Sequence, residues 1–600
     1  MNSAIAQRQR RALPIAVPIL IVLVALVIYS NCFNGQFILD DNVNLRDNPT
    51  VHQLLPSRIS LTGPPHNSLT GRPVSTFVFA LNYHFSGLKV QSYHFVNLII
   101  HILCALTFWG IMRRTLRLPR IQKHFIGAED WLAAVIASLF VAHPMETASV
   151  SYISQRIESL TSLFYLLTLY FFIRGSTARS KEYLWFAIVI VTCLLGMGSK
   201  ETMVSAPLFI LLYDRLLLSD TLTDALRQRR WFYAGLAATW LPLIGLMLLK
   251  PHSDNVGFYF PNLSWLDYLK TQSRVIVLYL QRSFWPGDLV LYYGKANADV
   301  PILRTFSQYV PWAAIVLCLL GLTLRGLLRR NPFALIGAWF FLILGPSSSI
   351  LAMPTEVIAE YRMYLPLAAV ITATVLIFYL MMRQTSQKAK YLAIIFAGVA
   401  IVALAIATYS HNKIYRSPVT LWTYTAAKQP RNTVARTMLG VFLIKSGHLD
   451  EGMAHFEDEL RFSTDKNYIY KIIPDELIQY GLWRPAQHYL REGAALNLTE
   501  PSIYNNLAWI EATASDAAMR DGPAAVEHAR RAIALSKEEN PSNIDTLAAA
   551  YAEAGKFEDA IAAIEQAIAI ANQNHDDADV AAMQGKLAVY RAGKPFRGKM

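Results

Sequence analysis

Two carboxylates stand side by side at Asp40 and Asp41, in the stretch FILDDNVNLRDNP that follows a long apolar run. Adjacent acids suit one of two tasks. One can take a proton from an attacking hydroxyl while the other orients it, or the two can jointly hold a divalent cation such as magnesium or manganese through oxygen ligands. The residue types leave both open. Other charged side chains recur beside apolar segments: Arg72 in TGRPVS, His143 and Glu146 in HPMETASV, Arg156 and Glu158 in SQRIES, Lys200 and Glu201 in GSKET, and Glu360 and Arg362 in EYRMYLP. A charge at the centre of a membrane helix costs roughly 2.5–3.5 kcal/mol on insertion scales, so those kept near apolar runs are candidates for function.

Taken singly, each has a plain structural role. An acid pair just past a helix is usually solvated surface, Lys-Glu between apolar runs is a turn with a weak ion pair, and Arg-Pro is a loop anchor. The histidines are too scattered for a zinc site. Taken together, acids and bases from several loops describe a site assembled by convergence. The chemistry that suits it is group transfer from a lipid-linked phosphate, whose charge Arg and Lys neutralise as it departs. A phosphate leaves without a general acid, so one carboxylate suffices as base. We expect Asp41 as that base with Asp40 as its partner, because Asp41 is one residue farther from the apolar run. Lys200, Arg156 and Arg362 are the expected phosphate clamp, with Arg72, His143, Glu146, Glu201 and Glu360 supporting the pocket.

The elements that must position these residues are helices. The 600-residue chain is 54% hydrophobic and only 16% charged, which describes a chain lying mostly in lipid. Apolar runs recur near 13–30, 92–112, 131–148, 159–173, 183–198, 202–218, 231–249, 309–325, 333–351, 363–382 and 391–409. Basic stretches follow alternate runs, as in RRTLRLPRIQK, RGSTARSKE, RGLLRR and RQTSQKAK, which places the N-terminus in the cytoplasm and Asp40 and Asp41 on the opposite side. Segment 271–285, TQSRVIVLYLQRSFW, is short and arginine-flanked and is expected to be interfacial or re-entrant. About eleven crossings then put the C-terminal region on the same side as the acid pair. The net charge of +13 lies in short loops between spans, so it marks orientation and not a nucleic-acid surface. The four cysteines all lie in or beside apolar segments, and no disulfide framework is implied.

From residue 411 onward the chain is polar and alanine-rich. Leu547, Ala548, Tyr551, Gly555, Ala560 and Ala567 stand at the offsets of a tetratricopeptide repeat, small residues where two helices touch and larger ones in the gaps. The offsets recur at Leu439, Gly440, Gly447 and Phe456, and at Leu507, Ala508, Ala525, Ala529 and Ala532. An α-solenoid over 411–600 with a groove for polypeptides is expected after a membrane domain over 1–410.

This arrangement resembles the GT-C superfamily of polytopic glycosyltransferases. More closely, FILDDNVNLRDNP, GRPVSTFVFALNY, YHFVNLIIHIL, HPMETASVSYISQRIESLTSLFYLLTLYFF, SKETMVSAPLFILLYD and EYRMYLPL, in that order before the repeats, resemble the transmembrane and tetratricopeptide-repeat-containing O-mannosyltransferases. The resemblance implies an all-α GT-C fold, a lipid-phosphate sugar donor, first-loop acids as base or metal-associated acid, and Lys200, Glu201 and the EYRMYLP motif near the donor phosphate. Here Tyr361 stands between the acid and the arginine of that motif. The short loops and compact tail favour a bacterial relative in the inner membrane with periplasmic repeats, using a polyprenyl-phosphate sugar; in a eukaryote the repeats would be lumenal. The expected function is inverting sugar transfer to a hydroxyl of an exported protein or envelope glycan. The alternatives are a non-catalytic scaffold for envelope or pilus assembly, and a polysaccharide polymerase or ligase.

Overall fold

The computed structural model describes the chain apart from residues 1, 55–66, 179, 250–258, 261–262, 297–298, 351, 354, 463–464, 537–539, 574–576 and 599–600. The fold is all-helical; the strands among the described residues are the short pair Tyr259–Phe260 and Leu263–Ser264. The chain divides into two compact units, Met1–Gln429 and Pro430–Met600. The division falls later than the change in composition at 411, because the helix Pro418–Lys428 buries Leu421, Trp422 and Thr425 within the first unit.

All the apolar runs of the first unit fold as helices. Among the described residues six are long and apolar enough to cross a membrane, and eight if the bent pairs Glu129–Ala142 with Pro144–Val150 and Glu201–Leu218 with Leu222–Gln228 each count as one span. Of the about eleven crossings expected, six to eight are thus supported by length and composition among the described residues. Three apolar helices are shorter: Glu182–Met197, Ala334–Ser348 and Pro366–Met382. At 1.5 Å per residue the first and last of these reach only about 24–26 Å, short of a hydrocarbon core of about 30 Å.

The runs differ in how they are used. In the Ile153–Ser176 segment 78% of the apolar window is buried within the unit, against 6% in Phe306–Leu328 and Gln387–Arg416. The first is core; the other two turn Leu317, Leu322, Leu392, Phe396 and Val399 outward, as lipid-facing helices do. Segment 271–285 lies in the helix Trp265–Phe284, which buries one face, Tyr268, Gln272, Val275, Ile276 and Tyr279. That face holds the loop before Pro366: Gln272 donates to the Val357 carbonyl at 2.9 Å, and the Tyr279 hydroxyl accepts from the Ala359 N–H at 2.8 Å while donating to the Ala359 carbonyl at 2.9 Å.

The second unit is a succession of helix pairs joined by short turns, from Thr433–Lys445 with Leu449–Phe462 to Pro541–Glu553 with Phe557–Gln573, followed by Asp577–Arg591. Small residues sit where helices touch: Ala508, Ala525, Ala529, Ala548, Ala560 and Ala567 are fully buried. Gly447 and Gly555 take positive φ, +91° and +77°, in the turns within their pairs, a conformation open to glycine at little cost. Gly440 has no room for a side chain, since a Cβ there would lie 2.4 Å from the Phe456 ring and 2.9 Å from the Gly452 carbonyl oxygen. Gly440→Ala is expected to destabilise this unit by about 1–3 kcal/mol, seen as faster amide exchange across residues 433–461 of the full chain. Unchanged protection would mean that the helix pair closes without this contact.

Candidate active site

The acid pair lies in a turn prepared by Leu39, whose φ of +45° is rare for a non-glycine residue and turns the chain sharply after the first apolar helix. The two carboxylates that follow it have different surroundings. Asp41 is fully buried: one oxygen accepts from the Ser154 N–H at 2.7 Å and the Ser154 hydroxyl at 2.6 Å, and the other from the Ile38 N–H at 3.1 Å. Burial raises its pKa to about 7, against the lowering effect of those hydrogen bonds. Asp40 is exposed, though the protein packed around it desolvates its carboxylate. Its N–H donates to the Tyr152 hydroxyl at 3.1 Å. Burial of its surroundings and the charge of Glu356 raise its pKa to about 6, and a hydrogen bond with Tyr152 opposes the shift. Asp41 Oδ1 thus accepts two protein donors and Oδ2 one. Among the described residues no three His, Cys, Asp or Glu side chains gather as a ligand set.

From Asp40 a polar seam runs through residues far apart in the chain. Glu356 accepts from the Tyr361 hydroxyl, Lys200 Nζ lies 5.3 Å from the centre of the Tyr361 ring, and Lys200 pairs with Glu158. Beside it, Arg72 donates twice to Glu201, at 2.8 and 3.2 Å, and once to the Ser68 carbonyl. Arg72, Lys200 and Glu201 line one small cavity with Gly71, Met197 and Leu243. The inserted Tyr361 has a geometric reason. Residues Glu360–Met363 form a 3-10 turn, in which successive side chains point about 120° apart. Tyr361 thus faces Lys200, while Arg362 donates to the Glu356 carbonyl at 2.7 Å and keeps one buried guanidinium nitrogen, Nη1, without a partner.

Other expected residues are bound up elsewhere. Glu360 points away from the seam, accepting from the Tyr293 hydroxyl and from the Val290 N–H at 3.3 Å, and burial raises its pKa to about 8. It latches the loop before Pro301. His143 bridges the Ser283 carbonyl at 3.0 Å and the Met145 N–H at 3.2 Å, capping the turn Pro144–Glu146. Glu146 is fully buried with neither carboxylate oxygen hydrogen-bonded. Arg156, also fully buried, donates to Asn97 at 2.6 Å, to Asn82 at 2.9 Å and to the Tyr93 carbonyl at 2.9 Å, and lies 4.3 Å from the centre of the Phe79 ring. The sequence reading missed Tyr152, Ser154 and Glu356. The first two stand inside the HPMETASVSYISQRIES motif, where their polarity between apolar runs was a usable signal; Glu356 had none.

Because Arg156 is held on these sides by the fold, Arg156→Gln is expected to lower the thermal midpoint of the detergent-solubilised protein, at about 1–3 kcal/mol for each acceptor left unpaired. A variant with the parental midpoint would free Arg156 for a role in ligand contact.

No family model matches the chain. Among curated proteins, it is 30% identical over 191 residues to protein O-mannosyl-transferase TMTC3 of Homo sapiens, covering 30% of this chain and 19% of that protein. It is 27% identical over 203 residues to protein O-mannosyl-transferase F38B6.6 of Caenorhabditis elegans, covering 32% and 27%. With protein O-mannosyl-transferase Tmtc3 of Drosophila melanogaster the match is 21% over 509 residues, covering 74% and 55%. The chain thus spans between about a fifth and about half the length of these relatives. The chain is thus similar over these regions to proteins named protein O-mannosyl-transferase of the TMTC type.

Proposed function

We propose that the protein is a multi-pass membrane glycosyltransferase that moves a sugar, mannose by analogy with the named relatives, from a polyprenyl-phosphate carrier to a hydroxyl of a polypeptide, with inversion at the anomeric carbon. The observation that carries this reading is the open carboxylate of Asp40 at one end of a seam that ends in Lys200. In this reading Asp40, and not Asp41, takes the proton from the acceptor hydroxyl as its oxygen attacks the anomeric carbon. The bond from that carbon to the phosphate oxygen breaks, and the electron pair leaves with the phosphate. Lys200 and the unpartnered nitrogen of Arg362 neutralise it. Asp41, held by three donors, fixes the turn that presents Asp40, and Arg156 acts as a positioning residue.

The membrane lipid enters through its tail. An apolar groove of about 1160 Å³ runs between the helices Glu129–Ala142, Pro366–Met382 and Gln387–His411, with His143 in its wall, and suits a prenyl or acyl chain. The loop charges support a cytoplasmic N-terminus, with Asp40 on the opposite, periplasmic or lumenal, side. The helix pairs of the second unit read as tetratricopeptide repeats that recruit the acceptor polypeptide.

The test is transfer from polyprenyl-phosphate mannose to acceptor polypeptides by purified protein in lipid, followed by intact mass. Asp40→Asn is expected to lower the rate by about 10²–10⁴-fold, with expression unchanged; full activity would remove Asp40 as base. The base must be ionised and its pKa is raised, so the parent's rate should rise with pH and level off above about 6. Glu356→Gln removes the charge that lifts Asp40, so the rising limb should move to lower pH. A limb that stays in place would assign the titration to another group. Absence of any sugar transfer, with exported glycans unchanged on deleting the gene, would favour the scaffold.

A further inference from the structure

Within the second unit a segment of this chain lies on a surface that has the features of a peptide site. The helices Pro501–Thr513 and Pro541–Glu553 each open on proline, so Asn505 and Asp545, Trp509 and Ala549, and Thr513 and Glu553 hold equivalent places in adjacent pairs. After the helix Asp577–Arg591 the chain passes over the far end of this row without forming a helix itself. The Phe596 ring lies 6.1 Å, centre to centre, from Trp509, and Lys586 Nζ sits 4.6 Å from the centre of the Trp509 ring and 5.5 Å from that of Phe596. Arg597 pairs with Glu553 at 2.6 Å and donates to the Ala512 carbonyl at 3.3 Å, and the Gly598 N–H donates to the Thr513 carbonyl at 3.0 Å.

These contacts have a common cause. Ala512 and Thr513 lie in the last turn of their helix, where carbonyls lack an intrahelical donor. An extended chain crossing there supplies the donors, one aromatic anchor and a second cation for Glu553, which also pairs with Arg520 at 2.9 Å. The row continues past the segment. The Asn505 Oδ1 atom, one turn before Trp509, and the Oδ1 atom of Asp545, a residue only 7% exposed whose Oδ2 pairs with Lys586, are buried without a hydrogen-bond partner.

We propose that this surface is a binding site for an extended polypeptide that presents an aromatic residue followed by arginine, and that residues 594–598 occupy it in cis as a competing ligand. An incoming chain takes the places of Phe596 and Arg597 and extends toward Asn505 and Asp545, whose free oxygens accept its backbone N–H groups. Because the cis segment is tethered, it competes at an effective concentration in the millimolar range, and the apparent affinity for a chain in trans falls with the fraction of open sites. The inference does not depend on sugar transfer by the membrane unit, since its readout is binding alone.

The experiment uses the full-length protein in lipid nanodiscs and a fluorescein-labelled synthetic peptide, KPFRGKM, followed by anisotropy. The double variant Phe596→Ala, Arg597→Ala is expected to bind the peptide at least about tenfold more tightly than the parent, by the fraction of sites vacated. Adding Trp509→Ala or Glu553→Gln to that variant should reverse the gain, as should replacing phenylalanine by alanine in the peptide. An opened variant that binds no better than the parent, or binding indifferent to Trp509 and Glu553, overturns the proposal. Loss of amide protection across Pro541–Glu553 in the opened variant overturns it as well, by making the segment a structural part of the repeat.

Discussion

A buried guanidinium organises the first unit. Desolvating the Arg156 charge is costly, and the fold offsets it with two asparagine side chains and a backbone carbonyl drawn from the neighbouring helices Pro73–Ser86 and Val90–Thr115. Those partners fix where the helix Arg156–Ser176 begins. The residues just before it, Tyr152 and Ser154, then have a fixed place from which to hold Asp40 and Asp41. The same helix carries Glu158, which receives Lys200. Loops more than a hundred positions apart are thereby set against one short segment.

That arrangement explains why two adjacent acids acquire different properties. The charge of Asp41 is compensated by three donors and is unavailable to anything outside the protein. Asp40, one residue earlier, receives no such shell, feels Glu356 instead, and is left with a pKa near the range where a base works at neutral pH. Among the cations, Arg156 and Arg362 are buried with one guanidinium nitrogen each unpartnered, and Lys200 pairs with Glu158.

The second unit meets a different constraint. Its helices are short and bury small residues, so each pair depends on its neighbours for a core. Such stacking leaves the ends of the inner helices exposed, with carbonyls that need donors. The chain's own Phe596 to Gly598 supplies them, which ties the chemistry of helix ends to the recognition of an extended chain.

The sequence by itself determined a good deal. Apolar runs of helical length imply an all-helical membrane unit, since an isolated segment in lipid can satisfy its backbone in no other way, short of a closed barrel. The spacing of Gly440, Ala508, Ala548 and Ala567 implied helix pairs, because only small residues let backbones approach there. The motif loops contain most of the charged residues that the fold brings together along the seam. Only the tertiary structure decided which charged residue does what. A 3-10 turn sends Glu360 to Tyr293 and Tyr361 to Lys200, Ser154 takes up Asp41 while Asp40 stays exposed, and Glu356 joins the seam with no local signal. Solvent access and pKa depend on neighbours brought in from distant parts of the chain, whereas helical propensity and apolar length are properties of each segment alone.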